Sequence, residues 1–293
     1  ERLFARLHAL DEIAVDAPFP LIHGDRFRRR LVVRAVAHRH VDQAALEVVA
    51  QLAQDELKLR NFAVVRLADH DRGIDRAVEA AAAAFPAWVR LGPTSRGRLL
   101  LKLADRIEEQ ADELATLESL DTGHPIRDSR RLDVVRTAAT FRYFGGMADK
   151  VQGDVIPVEP GFLNYVLREP LGVVGMIVPW NFPLMFCSWK MGPALASGNT
   201  VVMKPAALTP LSALRLAELI AEVGIPDGGV NIVPGPGRTT GMHLASHPGV
   251  AKIAFTGSTA TGRKIVEASA GNLKRIQLEL GGKGANIVFA DAD

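Results

Sequence analysis

The sequence predicts an α/β protein, a doubly wound parallel sheet with helices on both faces. Two observations carry this. Beyond Leu171, short apolar runs alternate with helix-length amphipathic stretches, the pattern of strand–helix–strand units joined by right-handed crossovers. Several of those runs then end on a lone polar residue or a glycine: Asn181, Lys204, Gly235, Gly257. Ligands of open parallel sheets bind outside the carboxyl ends of the strands, so these residues are expected to meet at one crevice.

Strands are expected near 171–178, 200–204, 230–234, 251–256 and 285–289, with helices near 184–197, 210–223, 238–246 and 259–270. The run Leu171 to Val178 is too short to cross a membrane and is apolar throughout, as in a strand buried on both faces. Upstream, Ile74 to Phe85 is an Ala-rich helix closed by Pro86. Thr94 to Ser119 reads as one long amphipathic helix with Leu99, Leu103, Ile107, Leu114 and Leu117 on one face. Asp133 to Lys150 is a further helix, and two short strands around Glu159-Pro160-Gly161 form a hairpin near 151–170. Residues 1–70 fit no such pattern. They hold a helix-compatible stretch, Val41 to Leu59, and an Arg-rich run, Arg26 to Arg34, that reads as a solvated face.

Composition narrows the class. The chain has 293 residues, 48% of them hydrophobic, and a net charge of +2, an ordinary balance that offers neither a nucleic-acid tract nor an acidic tail. The sole cysteine, Cys187, excludes an intrachain disulfide and fits a reducing, cytoplasmic setting. No signal peptide, membrane span or metal-ligand spacing stands out; His38 and His40 lack cysteine or carboxylate neighbours at such spacing. The chain opens at Glu1 and stops soon after an apolar run, so both ends read as cut from something longer.

Three motifs carry chemistry. In Phe255-Thr256-Gly257-Ser258-Thr259-Ala260-Thr261-Gly262 a strand enters a helix through Gly-Ser-Thr. Ser258 or Thr259 would cap the helix, Gly257 would let a ligand approach the backbone, and Gly262 would let helix pack on strand, together a diphosphate cradle. Lys204 closes a buried strand, where an ammonium needs an anion or hydroxyls to meet. Glu279, between Leu278 and Leu280, reads equally as a carboxylate that burial could turn into a general base and as a structural glutamate on a strand edge. Cys187 sits among large apolar residues and reads as a core thiol.

Pro179-Trp180-Asn181-Phe182-Pro183, Phe255-Thr256-Gly257-Ser258-Thr259 and Leu278-Glu279-Leu280-Gly281-Gly282-Lys283 together resemble the aldehyde dehydrogenase superfamily, over roughly Asp75 to Asp293. The resemblance implies a Rossmann-like domain that binds NAD or NADP. Asn181 then resembles the oxyanion-binding amide, Glu279 the general base and Lys190 a proton-relay lysine. Lys204 resembles the residue holding the adenosine ribose, Gly237 a glycine near the adenine, and Gly257, Ser258, Thr259 and Gly262 the pyrophosphate loop. Ile177, Val178, Pro179, Trp180 and Leu280 complete the implied cofactor lining. At Ala207 many NAD-preferring relatives carry a glutamate, so NADP stays open. The family's nucleophilic cysteine falls beyond residue 293, and Cys187 does not match it. The hairpin resembles an oligomerisation element, implying homo-oligomers in full-length relatives.

The expected organisation is an atypical segment (1–70), an NAD(P)-binding domain (71–278) and the start of a largely missing catalytic domain (279–293). The expected function is NAD(P)-dependent oxidation of an aldehyde to a carboxylic acid by an incomplete chain, without nucleic-acid or membrane partners. The alternative is a non-catalytic nucleotide-binding or interaction remnant of a decayed gene.

Overall fold

A computed structural model describes residues 70–282 and 284–292. The expectations for residues 1–69 lie outside these. Among the described residues, five strands form one parallel sheet: β3 (Val173–Ile177), β4 (Thr200–Lys204), β5 (Val230–Ile232), β6 (Lys252–Thr256) and β7 (Arg275–Glu279), in the order β5-β4-β3-β6-β7. A separate antiparallel pair, β1 (Val155–Ile156) and β2 (Asn164–Tyr165), forms the hairpin. The helices are α1 (His70–Arg90), α2 (Pro93–Glu109), α3 (Ala111–Thr122), the short α4 (Ile126–Asp128), α5 (Val135–Met147), α6 (Pro183–Ala196), α7 (Leu211–Glu222), α8 (Met242–Ser246) and α9 (Thr259–Ser269). The polar residues of the central strands have inward partners too: Thr200 Oγ1 donates to the Ala81 carbonyl of α1 at 2.9 Å.

Strand alternation divides the core in two. Val174 and Met176 face Leu184, Leu195 and Phe141, under α2, α5, α6 and α7. Val173, Ile177 and Ile253 face Ile74, Leu244 and Ile265, under α1, α8 and α9. This is the doubly wound architecture expected: β3 and β4 are buried on both faces, which is why they read as continuous apolar runs. The α2–α5 crossing is close enough that a Cβ on Gly97 would lie 2.4 Å from the Gly145 carbonyl oxygen.

Four local expectations are corrected. The first helix passes through Pro86 instead of stopping there; beyond it the Trp88 indole, fully buried, donates to the Leu195 carbonyl at 3.3 Å and holds the last turn. The long helix is two, α2 and α3, because the backbone turns out of helix at Gln110. The helix expected from Asp133 begins earlier, with a π-helical stretch at Ser129–Val134 leading into α5. Finally, residues 285–289 form no strand, and Ile287, Val288 and Phe289 are exposed. The fifth strand is β7, whose residues alternate exposed and half-buried, because one of its faces is uncovered among the described residues. That alternation of Arg, Ile, Gln, Leu and Glu hides it from a search for apolar runs.

Candidate functional site

Because all five strands are parallel, their carboxyl ends share one edge. Ile177 pairs with Lys204 on one side and Phe255 on the other, and Thr256 pairs with Glu279. Connections run outward from β3 in both directions, so the β3–β6 gap is the topological switch point where ligands of such sheets bind. Residues 177–181 and 256–258 border that gap.

Three long helices start at this edge, and their first turns differ. The residue before α6 is Phe182 and the residue before α7 is Pro210; neither side chain caps its helix. Instead α3 supplies both caps: Glu118 Oε1 accepts from Leu184 N (3.2 Å) and Asp121 Oδ2 from Leu211 N (2.8 Å). These two positive helix ends are therefore already met by carboxylates. Helix α9 is capped by its own Ser258, whose Oγ accepts from Thr261 N at 3.2 Å. No carboxylate sits on it among these contacts, and Ser258 and Thr259 are exposed. A Cβ on Gly257 would lie 2.5 Å from the Phe255 ring, and one on Gly262 would lie 2.7 Å from Leu280 Cδ2. A Cβ at either glycine would push its neighbour's side chain aside, and of the three N-termini that of α9 is the one no carboxylate caps among these contacts.

Lys204 is buried, not a surface lysine, and its Nζ donates to the Pro205 and Gly235 carbonyls at 2.6 and 3.2 Å. It ties the ends of β4 and β5 together, with Gly241 packed over its stem. Burial pushes its ammonium down to about 8. Ala207 lies in the exposed turn that follows, and exposed Gly237 opens a π-helical stretch, Gly237–Gly241, that ends on buried Thr240 and Gly241 and leads into α8.

A cleft of about 720 Å³ opens on the uncovered face of β6 and β7. Lys190, Thr256, Glu279 and Leu280 line it together; Asn181 is not among its lining residues. Burial lowers the Lys190 ammonium to about 8, and the Glu279 carboxylate partly opposes this. Of the two readings of Glu279 the strand-edge position is the one observed: it stands exposed at the end of an edge strand. Its main chain is fixed, since its carbonyl accepts from Gly257 N at 3.0 Å. Cys187 is fully buried, and burial with Glu118 nearby pushes its thiol far up, so no thiolate is offered there.

Two contributors carry no role in the sequence reading. Thr256, at the end of β6, aims a buried hydroxyl that finds no partner among the described residues. Glu118 falls four residues after Leu114, on the same buried face of its helix. A charge on an apolar stripe is the signal available. The group it binds cannot be guessed from that signal.

Residues 55–293 match the Aldehyde dehydrogenase family. Retinaldehyde dehydrogenase 3 of Rattus norvegicus is 55% identical over 224 residues, covering 75% of this chain and 44% of that protein. Among solved structures, PnpE from Pseudomonas sp. WBC-3 in complex with nicotinamide adenine dinucleotide shares 73% identity with a TM-score of 0.74, over 76% of this chain and 46% of that one. The NAD+ complex of a Bacillus cereus aldehyde dehydrogenase shares 48% identity with a TM-score of 0.73, over the same shares. The chain thus spans a little under half the length of the relatives it matches. With the switch-point edge and the sequence match in agreement, the chain belongs to the aldehyde dehydrogenase family.

Proposed function

We propose that this chain supplies the dinucleotide-binding part of an enzyme that oxidises an aldehyde to a carboxylic acid with NAD or NADP. One observation carries the reading. Of the three long helices that start at the ligand-binding edge, only α9 leaves its N-terminus to an incoming anion, and it borders the switch point. The residues fit a dinucleotide: Gly257 and Ser258 at the diphosphate, Thr259 and Gly262 behind them, and Ile177 to Trp180 across the gap. Lys204 and Ala207 would lie along the ribose, with Gly237 toward the adenine. Relatives solved with NAD support this assignment. The bound dinucleotide would supply hydride acceptance.

The chain's own residues then have separable roles. The Asn181 amide would donate to the oxygen on which negative charge develops, a contribution of about 3 kcal/mol for one well-placed donor. Lys190 and Glu279, facing one cleft, would exchange a proton: an ammonium lowered by burial beside a solvent-accessible carboxylate is suited to pass one on. Leu280 packs under Gly262 and couples that cleft to the start of α9. The nucleophile is assigned outside residues 1–293, since Cys187 is sealed in the core. The exposed hairpin, with Phe162 and Leu163 more than three-quarters accessible, is assigned to contact between copies in the whole protein.

Titration calorimetry with NAD and NADP tests the reading directly. Binding is expected, without aldehyde oxidation by this chain alone. Absence of binding to either dinucleotide would sink the proposal. Turnover abolished by Cys187→Ala would move the nucleophile into the core and overturn the assignment of roles.

A further inference from the structure

The loop Trp180-Asn181-Phe182-Pro183 leaves β3 and must turn into α6 with no capping side chain of its own, since Phe182 cannot accept and Pro183 has no N–H. What fixes it comes from elsewhere. Glu118, fully buried on α3, accepts from Leu184 N. The His124 ring packs at 5.1 Å against Phe182, and its Nδ1 lies 2.9 Å from Asp133 Oδ2. On the other side Thr209 Oγ1 donates to the Trp180 carbonyl at 3.3 Å. The residue after Asn181 is held by His124, just past the end of α3, and the third residue after it by Glu118 on α3.

A carboxylate is a costly choice for a buried cap. Asp133 Oδ1 is buried without a partner among the described residues, and Glu118 Oε2 meets only the Ser212 hydroxyl, in poor hydrogen-bond geometry. Burial, partly opposed by Ser212 and the Leu184 amide, pushes the Glu118 carboxyl up to about 7. A protein needing only a packed core would fill this space with an apolar side chain of similar volume, frequently with no loss of stability. What an acid adds over such a side chain is an acceptor for the Leu184 amide.

We propose that Glu118, with His124 as its second point of contact, is a positioning residue that sets the Asn181 loop at the dinucleotide edge. This deepens the proposed function and rests on it. Glu118→Met keeps the volume and cannot accept from Leu184; Glu118→Gln keeps an acceptor without the charge. The experiment compares backbone hydrogen exchange of the parent and both variants, and titrates each with NAD. For Glu118→Met, exchange at Leu184, Met185 and Phe186 is expected to quicken by about tenfold or more while α2 and α5 stay unchanged. NAD affinity should fall about fivefold, roughly 1 kcal/mol. Glu118→Gln should restore both. Unchanged exchange at those three amides overturns the proposal, as does exchange raised evenly over the fold, or equal NAD affinity in all three proteins. A parent chain that fails to bind NAD sinks the dinucleotide reading instead, and the exchange comparison alone then decides the role of Glu118.

Discussion

The two halves of the parallel sheet are built by opposite rules. In the half formed by β3, β4 and β5 every strand residue is buried, and the helices that follow β3 and β4 are capped by carboxylates reaching over from α3. In the half formed by β6 and β7 the burial is partial, the edge strand shows Arg275, Gln277 and Glu279 outward, and α9 caps itself. The closed half turns its polar groups on itself: Lys204 on two carbonyls, Asn199 on the Leu171 and Gly172 amides, Glu118 and Asp121 on helix ends. The open half commits fewer: Lys252 donates to Gln277 Oε1 at 3.0 Å, while at the sheet's carboxyl edge Glu279 and Thr259 stand exposed. A ligand-binding edge needs both, a rigid side that aims its groups and a second side whose groups are not already committed.

The sharpest way to break this comparison is to truncate one apolar side chain in each half. Met203, fully buried in β4, should cost about 2–5 kcal/mol on replacement by Ala. Leu278, half-buried in β7, should cost less than about 2 kcal/mol, because part of its surface is already in water. Urea unfolding of Met203→Ala and Leu278→Ala measures both. Equal losses would mean that the two halves unfold as one equally packed layer.

Titration comes next, and sets the buried acid of the closed half against the buried lysines of both halves. The folded Glu118 carboxyl, raised to about 7 by burial, binds a proton that the unfolded chain releases near 4.5. Between those values the native state holds more protons, so stability should fall as pH rises from about 4.5 to 7, by on the order of 3 kcal/mol. Asp133, His124 and the buried Cys187 face the same group. The lysines have the opposite sign. Lys190, Lys204 and Lys274 are lowered to about 8, so the unfolded chain binds more protons between there and 10.5, and stability should climb across that window. Thermal unfolding of the parent and Glu118→Gln across pH decides it: the acid-side slope should shrink in the variant, leaving the part that the raised Glu218 carboxyl contributes, while the alkaline rise remains. An unaltered acid-side slope would assign that slope to some other group.

The same contrast explains what can be read from the chain. β3 and β4 are legible because burial on both faces writes an apolar run, β6 because its middle residues Ile253, Ala254 and Phe255 are buried, and the Gly-Ser-Thr start of α9 because its cap is local. β7 is hidden since a half-covered strand alternates, and Ala285 to Phe289 imitates it because an apolar run does not itself specify a partner. The break at Gln110 leaves no trace because the amphipathic pattern continues across it, with Leu103, Ile107, Leu114 and Leu117 all buried. The remote caps are beyond reach: Glu118 and Leu184 are 66 residues apart, Asp121 and Leu211 are 90 apart, and nothing local announces that one will seek the other. Exposure of Glu279 is likewise unreadable, since it depends on what covers β7.

The smallest expected effect concerns the turn after β4, where the closed half meets the proposed ligand. Lys204 is held from below by the Pro205 and Gly235 carbonyls, so its position is set before any ribose arrives. Ala207, three residues on, is exposed and brings neither a carboxylate to hold a ribose diol nor a charge to repel a 2′-phosphate. NAD and NADP should therefore bind within about tenfold of each other, roughly 1.4 kcal/mol. Ala207→Glu should favour NAD by at least that much, because the new carboxylate faces a phosphate of like sign. It should leave unfolding unchanged, since an exposed turn residue buries nothing. Calorimetric titration of both proteins with both dinucleotides measures the ratio. If the substitution does not move it, the turn at 207 lies away from the ribose, and Lys204 joins β4 to β5 without reading the ligand at all.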